Sequence, residues 1–241
     1  MTEKTLVIRP HSGVSGDILV AGLAGLFSDP SDQLSTSFGK LNLEDNIKCS
    51  VTSIVRNGVT GYQLSVLPER SSEHRNLSDI KKIISGTSMC SSAKRLSDTA
   101  FEIIAKAESD VHGISPDEVH FHEVGALDSI VDICIFSDLF ITLDCSRVVS
   151  APLPIGDGYI QCAHGTMMSP APAVLKMLSG VVVSGKGFIG ETVTPTGLAL
   201  LLAVKTYFGD WPSGEVIKTC ISYGTKSFDA LPDGCVLALI S

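Results

Sequence analysis

No Cys-x-x-Cys pair occurs in this chain; its seven cysteines, at 49, 90, 134, 145, 162, 220 and 235, are scattered and odd in number. That argues against a disulfide framework and for reduced thiols in a cytoplasmic protein, most of them acting as small core residues. No block of Lys or Arg is present and the net charge is −8, so nucleic acid is disfavoured as a partner. No apolar run approaches the ~20 residues that a membrane span requires; the longest candidate, around Leu198 to Val204, falls far short. The opening Met-Thr-Glu-Lys runs straight into a short apolar stretch ended by Arg9 and Pro10, which is not the plan of a signal peptide. The P-loop and dinucleotide-binding spacings are missing. So are the familiar catalytic zinc motifs and any paired-metal motif, which leaves a metal-dependent phosphoesterase with little support. Repeats, linkers and low-complexity segments are absent.

What remains is 241 residues with 44% hydrophobic content, enough for a real core in one domain or two closely joined ones. Thr5 to Ile8 reads as a buried strand and Ile18 to Phe27 as an apolar helix. Ser31 to Leu41 reads as a polar helix, and Ile47 to Arg56 with Gly61 to Leu67 as a hairpin about Asn57-Gly58. Leu77 to Ile84 is helical, with Asn76 or Ser78 as its cap. Ser91 to Val111 carries a core stripe at helical spacing and stops at Gly113. Strands are expected at Arg147 to Ser150, Tyr159 to Cys162, Val181 to Val183, Val216 to Tyr223 and Cys235 to Ile240. Helices are expected from Ser169 to Leu178 and from Thr194 through Phe208. The fold class expected is α+β, a mixed sheet or sheets packed with helices around one central buried helix.

That central helix begins at Ala126 and is apolar nearly all round: Leu127, Ile130, Val131, Ile133, Ile135, Phe136, Leu139, Phe140. Asp128 and Asp132 nevertheless share one of its faces, and two like charges in a core are costly unless something positive faces them. Just upstream, His120 and His122 alternate onto one side of an extended segment, followed by Glu123. Imidazoles and carboxylates converging from a turn and a helix suit a divalent metal or a substrate. The plainer alternative is hydrogen-bonded core histidines and aspartates that cap loops or pair with cations. A second motif is strand, glycine-rich loop, helix, through Ser12, Gly13, Ser15, Gly16 and Asp17; it presents backbone N–H groups to an anion, although Ser15 or Asp17 could equally be a simple N-cap. Thr194, Thr196 and Gly197 open another helix that could hold phosphate. Cys162 and His164 alternate onto one side of a strand end; His164 could equally bond a turn carbonyl.

These blocks, with His74-Arg75-Asn76-Leu77-Ser78-Asp79-Ile80, Ser150-Ala151-Pro152-Leu153-Pro154 and Pro170-Ala171-Pro172-Ala173, resemble the LarC family of nickel-insertion proteins. Their order is the family's, and they run from one end of the chain to the other; the most specific is His120-Phe121-His122-Glu123-Val124-Gly125 followed by the two aspartates. The resemblance implies a cytoplasmic protein of nickel-pincer cofactor biosynthesis. Such a protein is a CTP-dependent nickel insertase (a lyase, or cyclometallase) that forms nickel–carbon and nickel–sulfur bonds on pyridinium-3,5-bisthiocarboxylic acid mononucleotide.

On the chemistry of the donors, Ni²⁺ is expected on His120 and His122, with Glu123, Asp128 or Asp132 completing or orienting the shell and Cys162 and His164 as second candidates for metal ligands; the carboxylates could instead bind Mg²⁺ on the phosphate. Asp17, Glu123 and Asp128 would be catalytic, and Ser12, Gly13, Ser15, Gly16, Thr194, Thr196 and Gly197 would hold the phosphate. Mg²⁺ or Mn²⁺ would act with CTP. Residues 1–241 correspond to the family's first, nickel-handling domain. The CTP-binding second domain would come from a separate chain, or have been removed, or be lacking in a paralogue of narrower role. The alternative function is a non-catalytic nucleotide- or partner-binding module; self-association into a homo-oligomer stays open. Two departures stand out: Arg9-Pro10-His11 replaces the family's acidic start of the first block, and the histidine-rich loop is reduced to Ser71-Ser72-Glu73-His74.

Overall fold

The apolar run at the N-terminus forms β1 (Thr5–Pro10), buried from Leu6 onward. A computed structural model describes residues 3–43, 47–67, 75–121, 126–162, 165–227 and 233–241, without the side chains of Cys162 and Lys186. After β1 come α1 (Gly16–Gly25), α2 (Pro30–Gly39), the hairpin of β2 (Lys48–Arg56) and β3 (Val59–Leu67), β4 (Arg75–Asn76), α3 (Leu77–Gly86) and α4 (Ser91–His112). A single 3₁₀ turn (Pro116–Glu118) leads to β5 (His120–Phe121) and α5 (Leu127–Leu143). Then follow β6 (Arg147–Ser150), β7 (Leu153–Asp157), β8 (Tyr159–Cys162), β9 (Gly165–Met168) and α6 (Pro172–Met177). The last elements are β10 (Val183–Ile189), α7 (Pro195–Ala203), β11 (Tyr207–Phe208), β12 (Val216–Tyr223) and β13 (Cys235–Ile240).

Seven strands make one mixed sheet in the order β11-β6-β1-β13-β12-β3-β2. β1 runs parallel to β6 and antiparallel to β13, so the two ends of the chain lie side by side with Leu6 opposite Leu239. α1 packs on the sheet through β3, β12 and β13, and α5 packs on α1 from the other side. α5 is buried on nearly every side, from Ile130 to Leu139 with the exception of Asp132, and is the central helix expected from the sequence. One ionic tie enters this layer: Lys40, just past α2, forks onto the buried Asp138 of α5 at 2.8 and 3.1 Å. The α+β class with a mixed sheet is as expected.

Caps and turns explain the well-placed boundaries. Asn76 and Asp79 form a reciprocal capping box at the start of α3, Gly113 closes α4 in the left-handed conformation at φ 68°, and Asn57 and Gly58 both take positive φ in the hairpin turn. Among the departures from expectation, three have a clear physical reason. The last apolar helix ends at Ala203 rather than Phe208: Lys205 turns to φ 54°, Thr206 bonds back to the Leu201 carbonyl, and Tyr207–Phe208 join the sheet beside Val149 and Ser150. β7 was hidden by Pro154 and Gly156, residues that read as loop. β10 starts at Val183 instead of ending there and pairs with β7 through an irregularity between Gly185 and Ile189.

Candidate functional site

The two glycine- and threonine-bearing loops are far apart in sequence yet touch. Val14 donates its N–H to the Thr192 carbonyl at 2.8 Å and accepts from the Thr194 N–H at 3.1 Å, a parallel bridge between the approach to α1 and the approach to α7. Gly197 makes this possible, because a Cβ there would stand 2.7 Å from the Ser15 Cα and the Val14 carbonyl oxygen. The N-termini of α1 and α7 therefore open side by side. Thr194 caps α7 by accepting from the Gly197 N–H at 3.2 Å, and its hydroxyl lies 3.0 Å from that of Thr196. Ser15 stands at the cap of α1 but spends its hydroxyl on the Asp17 carboxylate instead of the helix N–H groups.

Beside these helix starts lies a cleft of about 540 Å³. α1 and its cap give Ser15, Gly16 and Asp17; α5 gives Asp128, Ser129 and Asp132; α7 gives Thr194, Pro195 and Thr196; β3 forms the opposite wall from Gln63 to Leu67. A smaller annex of about 130 Å³ continues past Asp17 to Ser12, Lys226 and Asp233. Gly16 lets α1 press onto α5: a Cβ there would meet the Asp132 carboxylate at 2.6 Å and its Cβ at 2.9 Å.

The electrostatics of this cleft are one-sided. In the annex, Asp233 is neutralised by Arg56 at 2.7 Å, and Lys226 pairs with Glu191 at 3.3 Å. Asp132 has no such partner among the described residues; its Oδ1 is sealed from solvent and unbonded, although the residue keeps partial exposure on the cleft wall. Burial, then the charges of Asp17 and Asp128, hold its carboxyl well above the ordinary carboxylate range. Burial raises Asp17 as well, against the Ser15 hydroxyl, the Ile18 N–H and Lys226, which pull it down. Cys49 on β2 feels the same field: its thiol is pushed up to about 12, first by burial and then by Asp132. An unbonded, sealed carboxylate oxygen among oxygen donors fits a hard divalent cation.

The remaining expected residues fall as follows. Ser12 is buried at the annex, donating to Asp233 at 3.0 Å and accepting from the Gly234 N–H at 3.0 Å. Gly13, at φ 137°, backs onto the Thr192 carbonyl and, like Gly197, does not line the cleft. His120 is exposed, pairs through β5 with Asn76, and lines a separate hollow of about 270 Å³ with His112, Ile114, Glu118 and Val119. Cys162 lies on β8 opposite Gly165. His74, His122, Glu123 and His164 lie outside the described residues. Among the described residues, no three His, Cys, Asp or Glu side chains form a ready-made metal-binding group. Arg9 is a structural tie: it donates to the Gly209 carbonyl at 2.8 Å and stacks on Trp211 at 5.0 Å.

Sequence reasoning missed the Gln63 to Leu67 wall, Thr225, Lys226 and the neighbourhood of Cys49. The wall residues lie on a strand whose alternation marks an inner face without saying what that face meets.

The model of the nickel insertion protein family matches residues 6–239. A putative nickel insertion protein of Geotalea daltonii is 37% identical over 231 residues, covering 95% of this chain and 59% of that one. The pyridinium-3,5-bisthiocarboxylic acid mononucleotide nickel insertion protein of Geobacillus kaustophilus is 36% identical over 242 residues, covering 95% and 57%. Its namesake in Staphylococcus epidermidis is 35% identical over 229 residues, covering 94% and 57%. The chain thus spans somewhat under three fifths of the length of these relatives. No solved structure matches it. Among the described residues, no helix is long and apolar enough to cross a membrane.

Proposed function

The chain belongs to the nickel insertion protein family, and from that membership and the cleft together we propose that it holds a pyridinium-3,5-bisthiocarboxylic acid mononucleotide while Ni²⁺ is brought to it. Two relatives carry that substrate in their names. One observation supports the reading most: uncompensated carboxylates and two helix N-termini open into the same cleft. The N-termini favour a phosphate and the carboxylates favour a cation, and a metal-loaded mononucleotide brings both. In this reading the phosphate lies against Ser15, Gly16, Thr194 and Thr196, within reach of the Ser12 and Lys226 annex. Ni²⁺, here a substrate, takes imidazole and thiolate donors from His120, His122, Cys162 and His164, since imidazole suits nickel and soft thiolate can assist. Glu123 orients or completes that shell. The site works in the cytoplasm, with CTP and its Mg²⁺ or Mn²⁺ handled by the part of the longer relatives that this chain does not span.

Calorimetric titration with Ni²⁺ tests the assignment. The chain is expected to bind about one ion at low-micromolar affinity or weaker, and a His120→Ala/His122→Ala double variant is expected to lose that binding. Equal uptake by both would remove the imidazoles from the site. A second reading has its own support: the described donors in the cleft are all oxygen, and His120 lines a different hollow. On that reading the chain is a substrate-binding module and the chemistry resides elsewhere. Conversion of substrate by the chain alone with CTP and Ni²⁺ would decide against it.

A further inference from the structure

The acidic groups of the cleft sort into two sets. Asp233 and Glu191 have their cations in Arg56 and Lys226. Asp17, Asp128 and Asp132 are in no ion pair among the described residues, and Asp17 receives only the more distant pull of Lys226. Asp132 is the extreme case: among the described residues, the two charges that act on it, Asp17 and Asp128, are both negative. One of its oxygens is sealed from water without a hydrogen-bond donor among the described residues. A buried acceptor without a donor is rare in native proteins unless a water, an ion or a ligand completes it.

Resting on the reading of the cleft as the place where the substrate's phosphate lies, we propose that Asp132, with Asp17 and Asp128, forms an oxygen-only site for a hydrated divalent cation of the Mg²⁺ and Mn²⁺ class, separate from His120, and that this cation bridges to the phosphate. Oxygen donors select this class over softer metals. Such a cation keeps several waters and takes only one or two carboxylates directly besides a phosphate oxygen, so the remaining aspartates reach it through its waters. The geometry also gives Gly16 a second use. With no Cβ between them, Asp132 stands against the first turn of α1, so a cation on Asp132 lies next to the N-terminus that would face the phosphate. His120 contributes nothing here, because it opens into its own hollow with His112 and Glu118.

The test is a Mn²⁺ titration of the whole chain, followed by loss of the free-ion EPR signal, on the unaltered protein and on Asp132→Asn, Asp128→Asn and His120→Ala. The unaltered chain should bind about one Mn²⁺ and Asp132→Asn should weaken it about tenfold or more, on the scale of losing one charged ligand. His120→Ala should stay within about twofold, and added Mg²⁺ should compete. Should Asp132→Asn fail to fold by circular dichroism, Asp128→Asn, an exposed position, carries the test with an expected loss of about threefold or more. No saturable Mn²⁺ binding, undiminished binding by the aspartate variants, or an equal loss in His120→Ala would overturn the proposal. Nickel uptake by the histidine double variant is read separately, so failure here and failure of the nickel assignment give different patterns.

Discussion

Asp132 stands where a carboxylate is hardest to keep charged, and the consequence is measurable. Its folded-state carboxyl titrates well above the ordinary 3.8, so between those two values the folded protein binds more protons than the unfolded chain. Stability contributed by this group is then full below about pH 4 and declines as pH rises through the raised value. The two charges that act on it push the same way, Asp17 from α1 and Asp128 from its own helix, while the Cys49 thiol on β2, itself pushed up to about 12, stays neutral near pH 7. We expect Asp132→Asn to flatten that decline and, in metal-free buffer near pH 7, to melt about 2–4 °C higher for each kcal/mol regained. Millimolar Mn²⁺ should raise the melting temperature of the unaltered protein more at pH 7.5 than at pH 5, where protons compete for the carboxylate. A variant that melts no higher, with an unchanged pH slope, would mean that its surroundings do not raise the Asp132 carboxyl. The sequence revealed half of this site. Asp128 and Asp132 share a face because they are four apart on a helix, and any reader of periodicity finds them. Asp17 joins them from more than a hundred residues away, through helix packing that no local pattern encodes.

At the scale of elements, the site exists because two helix starts are pressed together, and Gly197 is the point of contact. Alanine is ordinarily the better helix residue by about 1 kcal/mol. At Gly197 its Cβ would run into backbone, 2.7 Å from the Ser15 Cα and the Val14 carbonyl oxygen, so α7 has to move away from the α1 approach. We expect Gly197→Ala to cost about 1–3 kcal/mol, the range for overpacking a filled site. Gly86, the last residue of α3, has nothing within 4 Å of a built Cβ, and Gly86→Ala should be neutral or stabilising. Paired thermal melts check both, and a Gly197→Ala protein as stable as its Gly86→Ala counterpart would refute the close approach. The same contrast explains which elements were legible. Asn76, Gly113 and the Asn57-Gly58 turn act through their own backbone chemistry, so α3, α4 and the hairpin could be bounded from sequence. β7, β10 and the end of α7 are set by what they pair with. Tyr207 and Phe208 leave the helical pattern after the Lys205 turn and pair with the edge of β6.

For the molecule as a whole, net charge and site charge have the same sign. The chain carries −8, and its cleft holds carboxylates in excess of nearby cations. A mononucleotide is itself an anion, so helix N-termini worth about 0.3–1 kcal/mol each cannot by themselves offset a field of this sign. Substrate and divalent cation should therefore bind each other's complex far better than the bare protein. Thermodynamic linkage makes that coupling reciprocal: whatever factor Mn²⁺ adds to the affinity for a mononucleotide, the mononucleotide adds to the affinity for Mn²⁺. With AMP as the probe, we expect a factor of about ten, within the usual range of coupling between sites. Asp132→Asn should shrink it towards one while removing the repulsion that opposes AMP alone. Both halves of the cycle can be read by calorimetry on the same preparation, after correcting for Mn²⁺–AMP association in solution. Raising ionic strength should weaken the repulsion between AMP and the exposed Asp128 more than that from the sealed carboxylate of Asp132, because screening by salt acts mainly on solvent-exposed charges. AMP affinity that ignores Mn²⁺ would show that phosphate and cation do not meet in this cleft, and the nucleotide would then have to sit where the carboxylates do not reach.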